Sequence, residues 1–515
     1  MWRREEDRWA GVMSSIKRRI DGHSDSVTED MHKGPALFHD TSIEKLPDKV
    51  LRKVFGYLRH REIINCARVC RKWRDTAYDP RLWEVTKQDE LLRLIKERFA
   101  PNLRYFELPT EHVTVPIIQE LAKCQKLQYM TLDFSTAAQL HDFSEMQSFP
   151  SRLRSLCICL SENIFLEGFL RKIYSYISTV QTLHLIGTYE KIEDEEEEVY
   201  ETVNIHKLKQ HLPNLRVVNL WGVVFISDEH MESLSSNCAQ IECLCVNYCQ
   251  KVTGSSLKLV LSRLKRLRCL LLEQTCLDGK AMMSVEWEKT SIQELNITGT
   301  ELPSEALLSV LSRLPHLKWL SAGFLEGFTD QVLDGWMESG STNKLNNLDL
   351  NTCDNLNEPV LNKFIANHGH QLAGLNLAGH HKLTENFWSA AIPHMPNMRT
   401  LVMGMAVDCC AKVMARIHVD HLMEGLGMNC GLLERLEIRW DSENLRFSDK
   451  SAKFVDILRT RALHLRSLVL SDGQYYEMVR NNFGRAERYS VVRTTEMCLT
   501  SIAERLSFYK DLLFN

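Results

Sequence analysis

A short apolar pattern recurs along most of the 515 residues and constrains the fold of this sequence more than any other feature. The pattern is Leu-x-x-Leu-x-Leu, with Ile, Val or Met in place of Leu in some copies. We count 14 copies, and most adjacent copies begin 24 to 28 positions apart. Because one such unit cannot bury its apolar face alone, this period predicts a stack of repeats. The copies begin at Leu103, Leu127, Leu153, Val180, Leu215, Ile241, Leu267, Ile292, Leu317, Leu345, Leu372, Met398, Leu433 and Leu465.

Each unit is predicted to contribute one strand and one helix. The Leu-x-Leu pair fits a short strand whose anchors point inward, and the stretch after it fits a helix. Residue pairs such as Ser227-Asp228 and Thr329-Asp330 can cap the free backbone donors of the helix that follows. The period is that of leucine-rich repeats, so residues 87–471 are predicted to form an α/β solenoid. Its parallel sheet should line the concave side and its helices the convex side.

Residues 472–515 depart from the repeat and are predicted to close the array. The alternative is that Tyr475-Tyr476 and the basic stretch around Arg485 reach toward a bound substrate. Apolar residues at helical spacing favour the closing role. They are Cys498, Ile502, Leu506, Tyr509 and Leu513.

Charge and composition narrow the classes of partner. The chain is 44% hydrophobic and 25% charged with a formal net charge of -4, which is ordinary for a globular protein and gives no reason to expect nucleic acid. No apolar run of about 18 residues could span a bilayer, and the first residues, Met1 to Asp7, lack the apolar core of a secretory signal. We therefore expect a cytoplasmic or nuclear protein, or both, with no membrane partner. Its 16 cysteines are then expected to be reduced thiols.

The first 86 residues differ in character from the repeats. Residues 1–40 mix both charge signs with few regularly spaced apolar groups, which predicts a flexible tail. From Leu46 onward apolar residues recur every three to four positions behind Pro47, which a first helical turn tolerates. A second amphipathic helix is predicted from about Glu62 to Ala77. A unit as small as residues 41–86 with so wide an apolar face should present part of that face to a partner.

Three ordered motifs in this unit resemble an F-box. They are Leu46-Pro47-Asp48-Lys49-Val50-Leu51-Arg52-Lys53-Val54-Phe55-Gly56-Tyr57-Leu58, then Val69-Cys70-Arg71-Lys72-Trp73, then Leu82-Trp83. The repeats around Cys249 and Cys353 resemble the cysteine-containing subtype common in F-box proteins. The resemblance implies docking to the adaptor Skp1, which joins F-box proteins to a cullin scaffold carrying a RING subunit. The residues that match the F-box consensus and are predicted to bind Skp1 are Leu46, Pro47, Val50, Leu51, Val54, Phe55, Val69, Cys70, Trp73, Leu82 and Trp83.

Two alternatives apply to the residues of this motif. Some of the apolar residues must form the internal core of the small unit instead of meeting Skp1. Lys49, Arg52 and Lys53 either add rim charges against an acidic adaptor or form an ordinary solvated face, since exposed ion pairs contribute only about 0 to 1 kcal/mol.

Strand alternation predicts which repeat residues project from the concave sheet toward a ligand. Trp221 and Trp319 are the strongest candidates, because large exposed aromatics often anchor protein interfaces. The alternative is that each packs against a loop that crosses the sheet. Arg435 and Arg439 could clamp a phosphate or carboxylate, but Glu437 between them can satisfy both. The residues assigned to the concave face are Tyr129, Thr131, Cys157, Cys159, His184, Asn219, Trp221, Cys243, Cys245, Asn296, Trp319, Asn347, Asp349, Asn376, Arg435, Glu437 and Arg439.

No sequence motif indicates catalysis, a cofactor or a metal. Phosphate loops, nucleophile elbows, paired Cys-x-x-Cys spacing and zinc-protease helices are missing from the sequence. Cys157 and His184 occupy equivalent places on neighbouring strands, but ordinary thiols are favoured over a metal site. The acidic run Glu193 to Glu198 favours a solvated insertion over a lure for a basic partner. The stretch around Asp408 to Gly425 favours a convex helix over a ligand cluster.

We therefore expect a non-catalytic substrate receptor of a ubiquitin ligase, with Skp1 on the F-box and a protein substrate on the solenoid. One alternative keeps Skp1 but makes the chain a scaffold or inhibitor without degradation. Another makes the concave face a sensor of a small ligand or metal. The sequence does not identify the substrate.

Overall fold

The repeats form one continuous parallel sheet. The computed structural model describes residues 48–55, 66, 71–77, 79, 88–137, 139–161, 164–188, 200–405, 415–484 and 491–494. Within these residues, 15 strands pair side by side in chain order, and each neighbouring pair is parallel. Two further strands, Ile417–His418 and Leu445–Arg446, form a separate parallel pair. The strands are β1 (Tyr105–Leu108), β2 (Tyr129–Asp133), β3 (Ser155–Cys159), β4 (Thr182–Ile186), β5 (Val217–Asn219), β6 (Cys243–Cys245), β7 (Cys269–Leu271), β8 (Glu294–Asn296), β9 (Trp319–Ser321), β10 (Asn347–Asp349), β11 (Gly374–Ala378), β12 (Thr400–Gly404), β13 (Ile417–His418), β14 (Arg435–Arg439), β15 (Leu445–Arg446), β16 (Ser467–Leu470) and β17 (Val491–Thr494).

Helices follow most strands and return the chain to the start of the next one. Because parallel crossovers of one hand place their connections on one side of a sheet, these helices share the side opposite the concave face. From Ile205 onward, successive helices of the array contact one another. The predicted α/β solenoid is confirmed. The helices are α1 (Asp48–Phe55), α2 (Arg71–Ala77), α3 (Gln88–Leu94), α4 (Val115–Leu121), α5 (Glu167–Ile173), α6 (Ile205–Leu208), α7 (Asp228–Asn237), α8 (Leu257–Arg263), α9 (Gly279–Met283), α10 (Ser304–Leu311), α11 (Asp330–Glu338), α12 (Glu358–His368), α13 (Glu385–Ala391), α14 (Val419–Asn429), α15 (Ser451–Arg461) and α16 (Gln474–Gly484).

The anchors of the repeat pattern form the core between sheet and helices. In the unit that contains β6, Ile241, Leu244 and Val246 are buried, as the pattern predicts. Cysteines of the repeat connect units: the Cys249 thiol donates to the carbonyl of Leu220 at 3.1 Å, and the Cys353 thiol to that of Ala322 at 3.1 Å. The units that contain Cys249 and Cys353 are therefore each held to the preceding unit by burial together with a hydrogen bond.

Acidic residues at the helix starts join units in a way that the sequence did not reveal. We expected the pair Ser227-Asp228 to cap the helix that it opens, and Ser227 is the N-cap residue of α7, with its backbone N–H donating to His230 Nδ1 at 3.2 Å. The Asp228 carboxylate instead accepts hydrogen bonds from the backbone N–H groups of Thr253 (2.7 Å) and Ser256 (3.0 Å) in the next unit. Asp330 accepts in the same way from the N–H of Asn357, and Asp420 from that of Ser448. A carboxylate in the first helical turn of one unit thus accepts hydrogen bonds from backbone N–H groups of the next unit.

The sheet extends past the predicted boundary at residue 471. Helix α16 and strand β17 add one more unit, with β17 parallel to β16. Tyr475 and Tyr476 lie in α16 and are buried, so they do not reach toward a substrate in this conformation. The helical stripe predicted from Cys498 to Leu513 lies outside the described residues.

The N-terminal helices form a small unit of their own. Contacts divide the chain into residues 1–95 and 96–515. Helices α1 and α2 pack through Leu51, Phe55 and Ala77, which are buried, and Cys66 and Trp73 pack against them. The ring centroids of Phe55 and Trp73 lie 5.3 Å apart in an edge-to-face arrangement, which stabilises aromatic pairs.

Gly404, at the end of β12, provides a test of how closely the strands approach. Its φ of 98° favours glycine, and a Cβ at this position would overlap the carbonyl oxygen of Arg439 on β14. Gly404→Ala should lower the free energy of unfolding by about 2 to 4 kcal/mol, measured by urea denaturation. The matched control is Gly425→Ala within α14, where the nearest atom would lie at 3.6 Å. That control should be neutral or stabilise by up to about 1 kcal/mol, and an equal loss in both variants would contradict the assignment.

Candidate partner-binding sites

Helix α1 divides the predicted Skp1-binding residues between two faces. Leu51 and Phe55 point into the core of the small unit and are fully buried. Val50 and Val54 are 44% and 40% exposed, and they lie one helical turn apart on the other face. Two adjacent half-exposed valines form an apolar strip on a helix that has few other apolar residues exposed to solvent. Among the predicted residues that the structure describes, this strip is the exposed part.

The other predicted adaptor-binding residues have separate outcomes. Trp73 is half-buried against the core, and it packs on Phe55. The remaining six lie outside the described residues, and their role stays a prediction: Leu46, Pro47, Val69, Cys70, Leu82 and Trp83.

Of the three basic residues on α1, one is tied within the unit. The Arg52 guanidinium lies 2.5 Å from a carboxylate oxygen of Asp79, both partly buried, so Arg52 is not the open rim charge we considered. Lys49 and Lys53 are exposed. They remain available to an acidic partner.

The concave face of the solenoid is buried over most of its length, contrary to our expectation of an open ligand surface. Trp319 is 2% exposed because it joins an apolar cluster with side chains of β5, β6 and β7. Trp221 is also buried, and its ring centroid lies 5.4 Å from that of Tyr248. The prediction that these two tryptophans are exposed anchors is therefore wrong. Strand alternation identified the correct face but could not show that its side chains bury one another. The cluster consists of Val217, Cys243, Cys245, Cys269, Leu271 and Trp319.

Arg435 and Arg439 on β14 form a buried charge cluster with Glu437. The Arg435 Nε lies 2.7 Å from Glu437 Oε1, and the Arg439 Nε lies 2.9 Å from Glu437 Oε2. The two arginines are 3% and 5% exposed, and Glu437 is fully buried. The clamp for a phosphate or carboxylate that we considered would need exposed arginines, and both are buried. The arrangement that we favoured, in which Glu437 satisfies both arginines, describes the geometry, but the cluster is buried and not solvated as we expected.

Two thiols of the sheet, those of Cys245 and Cys269, favour their neutral form. Cys157 and His184 are register partners on β3 and β4, as predicted. Burial raises the pKa of Cys245 and Cys269 well above the usual value for a thiol. A thiolate ligand is disfavoured there, because burial penalises the charged form. Among the described residues, no three His, Cys, Asp or Glu side chains are grouped as a metal site would require.

The units that begin at Val180 and Met398 are longer than most others, and the structure describes only part of each. The acidic run at 193–198 and residues 406–414, with Cys409 and Cys410, lie outside the described residues. His418 and His421 stack at the start of α14 with ring centroids 5.0 Å apart. The His421 Nδ1 lies 2.6 Å from a carboxylate oxygen of Glu385. The predicted convex helix in this region corresponds to α14.

The open part of the sheet face lies at its first strands. Of the concave-face residues, we predicted that Tyr129, Trp221, Trp319, Arg435 and Arg439 bind the substrate. Tyr129 on β2 is 40% exposed, and the other four are buried. Its register partner on β1, Tyr105, is 50% exposed. We missed Tyr105 and Glu107 because the copy at Leu103 is weak. The alternation rule, applied to that copy, would have placed both on the concave face.

Comparison with known proteins agrees with this two-part architecture. Residues 43–85 match a family model described as F-box-like. The F-box/LRR-repeat protein 5 of Mus musculus is 23% identical over 261 residues, which make up 50% of this chain and 33% of that relative. This chain therefore spans only a third of the relative's length. The chain is thus similar to an F-box-like family over residues 43–85 and to an F-box and leucine-rich-repeat protein over half of its length.

A comparison of structures gives a weaker likeness. The structure described as the Rad7 and Elc1 complex in yeast has a TM-score of 0.43 and 14% identity, with 82% of this chain and 88% of the other covered. Within the residues that the structure describes, no helix is long and apolar enough to cross a membrane.

Proposed function

We propose that the chain is the substrate-recognition subunit of a Skp1-cullin-F-box ubiquitin ligase. The F-box would dock Skp1, and through it a cullin and a RING subunit, while the solenoid holds a protein substrate. The observation that carries the proposal is the exposed Val50 and Val54 strip on α1, inside the region that matches an F-box. Fully burying such side chains against a partner contributes roughly 1.5 to 3 kcal/mol each.

In this role the chain supplies binding and no chemistry of its own. A substrate held beside a ubiquitin-charged enzyme no longer has to meet that enzyme by diffusion. This positioning by itself can raise the rate of ubiquitin transfer by a large factor. Repeat arrays suit this task because their extended face can be large while each unit contacts only its neighbours. No cofactor or metal is required for the proposed role.

Replacement of Leu46 and Pro47 by Ala in the full-length chain tests the docking step. These residues begin the F-box motif, and we expect copurification with Skp1 to be lost while the solenoid stays folded. Circular dichroism of the same preparation reports the solenoid. Retained Skp1 binding would contradict the proposal.

The ubiquitin step needs its own measurement. Proteins that copurify with the full-length chain should accumulate on the Leu46 and Pro47 double variant if they are normally degraded. If Skp1 binding is lost and their abundance stays the same, the chain is a Skp1-bound scaffold or inhibitor.

A further inference from the structure

The first two strands present the accessible part of the concave face. Tyr105 and Tyr129 sit side by side in register, whereas most strand residues from β4 onward are buried. Glu107 lies two residues after Tyr105 and pairs with Thr131. Asp133 ends β2. A row of two tyrosines thus lies beside two carboxylates, and we call Tyr105, Tyr129, Glu107 and Asp133 the tyrosine-carboxylate face.

The two carboxylates of this face have no cationic partner among the described residues. The ion pairs of Lys and Arg there involve other carboxylates, and none includes Glu107 or Asp133. The Asp133 Oδ1 accepts hydrogen bonds from the backbone N–H and the hydroxyl of Ser135, at 2.9 and 2.6 Å. The Tyr105 hydroxyl donates to Glu107 at 3.4 Å. Burial, followed by the negative charge of Asp133, raises the pKa of Glu107 above its usual value. A cation placed here would relieve that repulsion.

We propose that the tyrosine-carboxylate face binds an extended, arginine-containing segment of a protein substrate. This inference rests on the receptor function proposed above. A guanidinium can stack on a tyrosine ring and can also form paired hydrogen bonds to a carboxylate. Lysine provides a point charge without the planar fork, so it suits this surface less well. Alternate residues of a strand lie about 7 Å apart, so the tyrosine row and Glu107 match two residues of an extended ligand. Arginines at alternate positions fit best.

Fluorescence anisotropy with full-length protein and a labelled peptide of repeating Arg-Ser tests the proposal. Peptides of repeating Lys-Ser and Gln-Ser are the comparisons. We expect the arginine peptide to bind more tightly than the lysine peptide and the glutamine peptide to bind least. Glu107→Gln with Asp133→Asn should weaken arginine-peptide binding about ten-fold at low ionic strength. Tyr129→Leu should weaken it about three-fold.

A matched control removes the same charge elsewhere. Glu326→Gln with Glu338→Gln neutralises two exposed carboxylates near and within α11, and it should leave binding within two-fold of the unchanged protein. Equal loss in both double variants would mean that general charge attraction explains binding, which overturns the proposal. Unchanged binding in the Glu107 and Asp133 variant also overturns it, as does equal binding of the lysine and arginine peptides.

Two further readouts keep the outcomes separable. The carboxylate variants are nearly isosteric, and their melting temperatures show whether they fold, so the test does not depend on Tyr129→Leu. Skp1 copurification is measured on the same preparations. If a variant loses peptide binding and still binds Skp1, the effect is confined to the tyrosine-carboxylate face. If no preparation binds Skp1, the proposed ligase function is contradicted.

Discussion

Replacing Val50 and Val54 with Glu should weaken Skp1 binding by at least about 100-fold. Two valines that are buried in the proposed complex with Skp1 would be lost, and two carboxylates would enter an apolar contact. Both side chains are already exposed in the chain alone, so its thermal stability should change little. The measurement is titration of full-length protein with Skp1, alongside a melting curve.

The same helix offers two controls for this result. Lys49→Gln with Lys53→Gln alters exposed residues at the same spacing, and it should change Skp1 affinity by less than about ten-fold. Leu51→Ala should lower stability by about 2 to 5 kcal/mol, because it opens a cavity in the core of the small unit. Unchanged Skp1 affinity in the Val50 and Val54 variant would place the adaptor elsewhere.

The sequence predicted most of the architecture because repeats carry their own register. Each of the 14 copies of the pattern corresponds to a strand of the main sheet, including weak copies such as those at Val180 and Met398. The additional strand, Val491–Thr494, was missed because the apolar pattern fades after Leu470. In the F-box, periodicity predicted a wide apolar face on α1. It could not separate Leu51 from Val50, since that division depends on where the second helix packs.

Exposure on the concave face was the least predictable property. Alternation along a strand determines which face a side chain occupies, but its accessibility depends on the neighbours that curvature brings close. Trp319 was predicted to be open and is buried among side chains of preceding strands. Tyr129 was predicted by the same rule and is open. Two residues assigned by the same rule thus differ in exposure, because one lies among later units and the other near the edge of the sheet.

Neutralising Glu437 should destabilise the C-terminal units strongly. Glu437→Gln would leave Arg435 and Arg439 buried without the carboxylate that both contact, and losing one partner of a buried ion pair typically costs about 3 to 5 kcal/mol. Urea denaturation measures the loss. Glu434→Gln is the matched control, because Glu434 pairs with Arg399 at the surface and should matter by less than about 1 kcal/mol.

The triple replacement Arg435→Leu, Glu437→Met and Arg439→Leu separates charge from packing. Apolar residues of similar volume often substitute for a buried ion cluster at little cost, so this variant should recover most of the stability that Glu437→Gln loses. Because each unit contacts only its neighbours, hydrogen exchange in Glu437→Gln should increase around β14 and β16 and leave β5 to β8 protected. A triple variant as unstable as the single one would show that side-chain shape, and not charge pairing, holds this part of the array together.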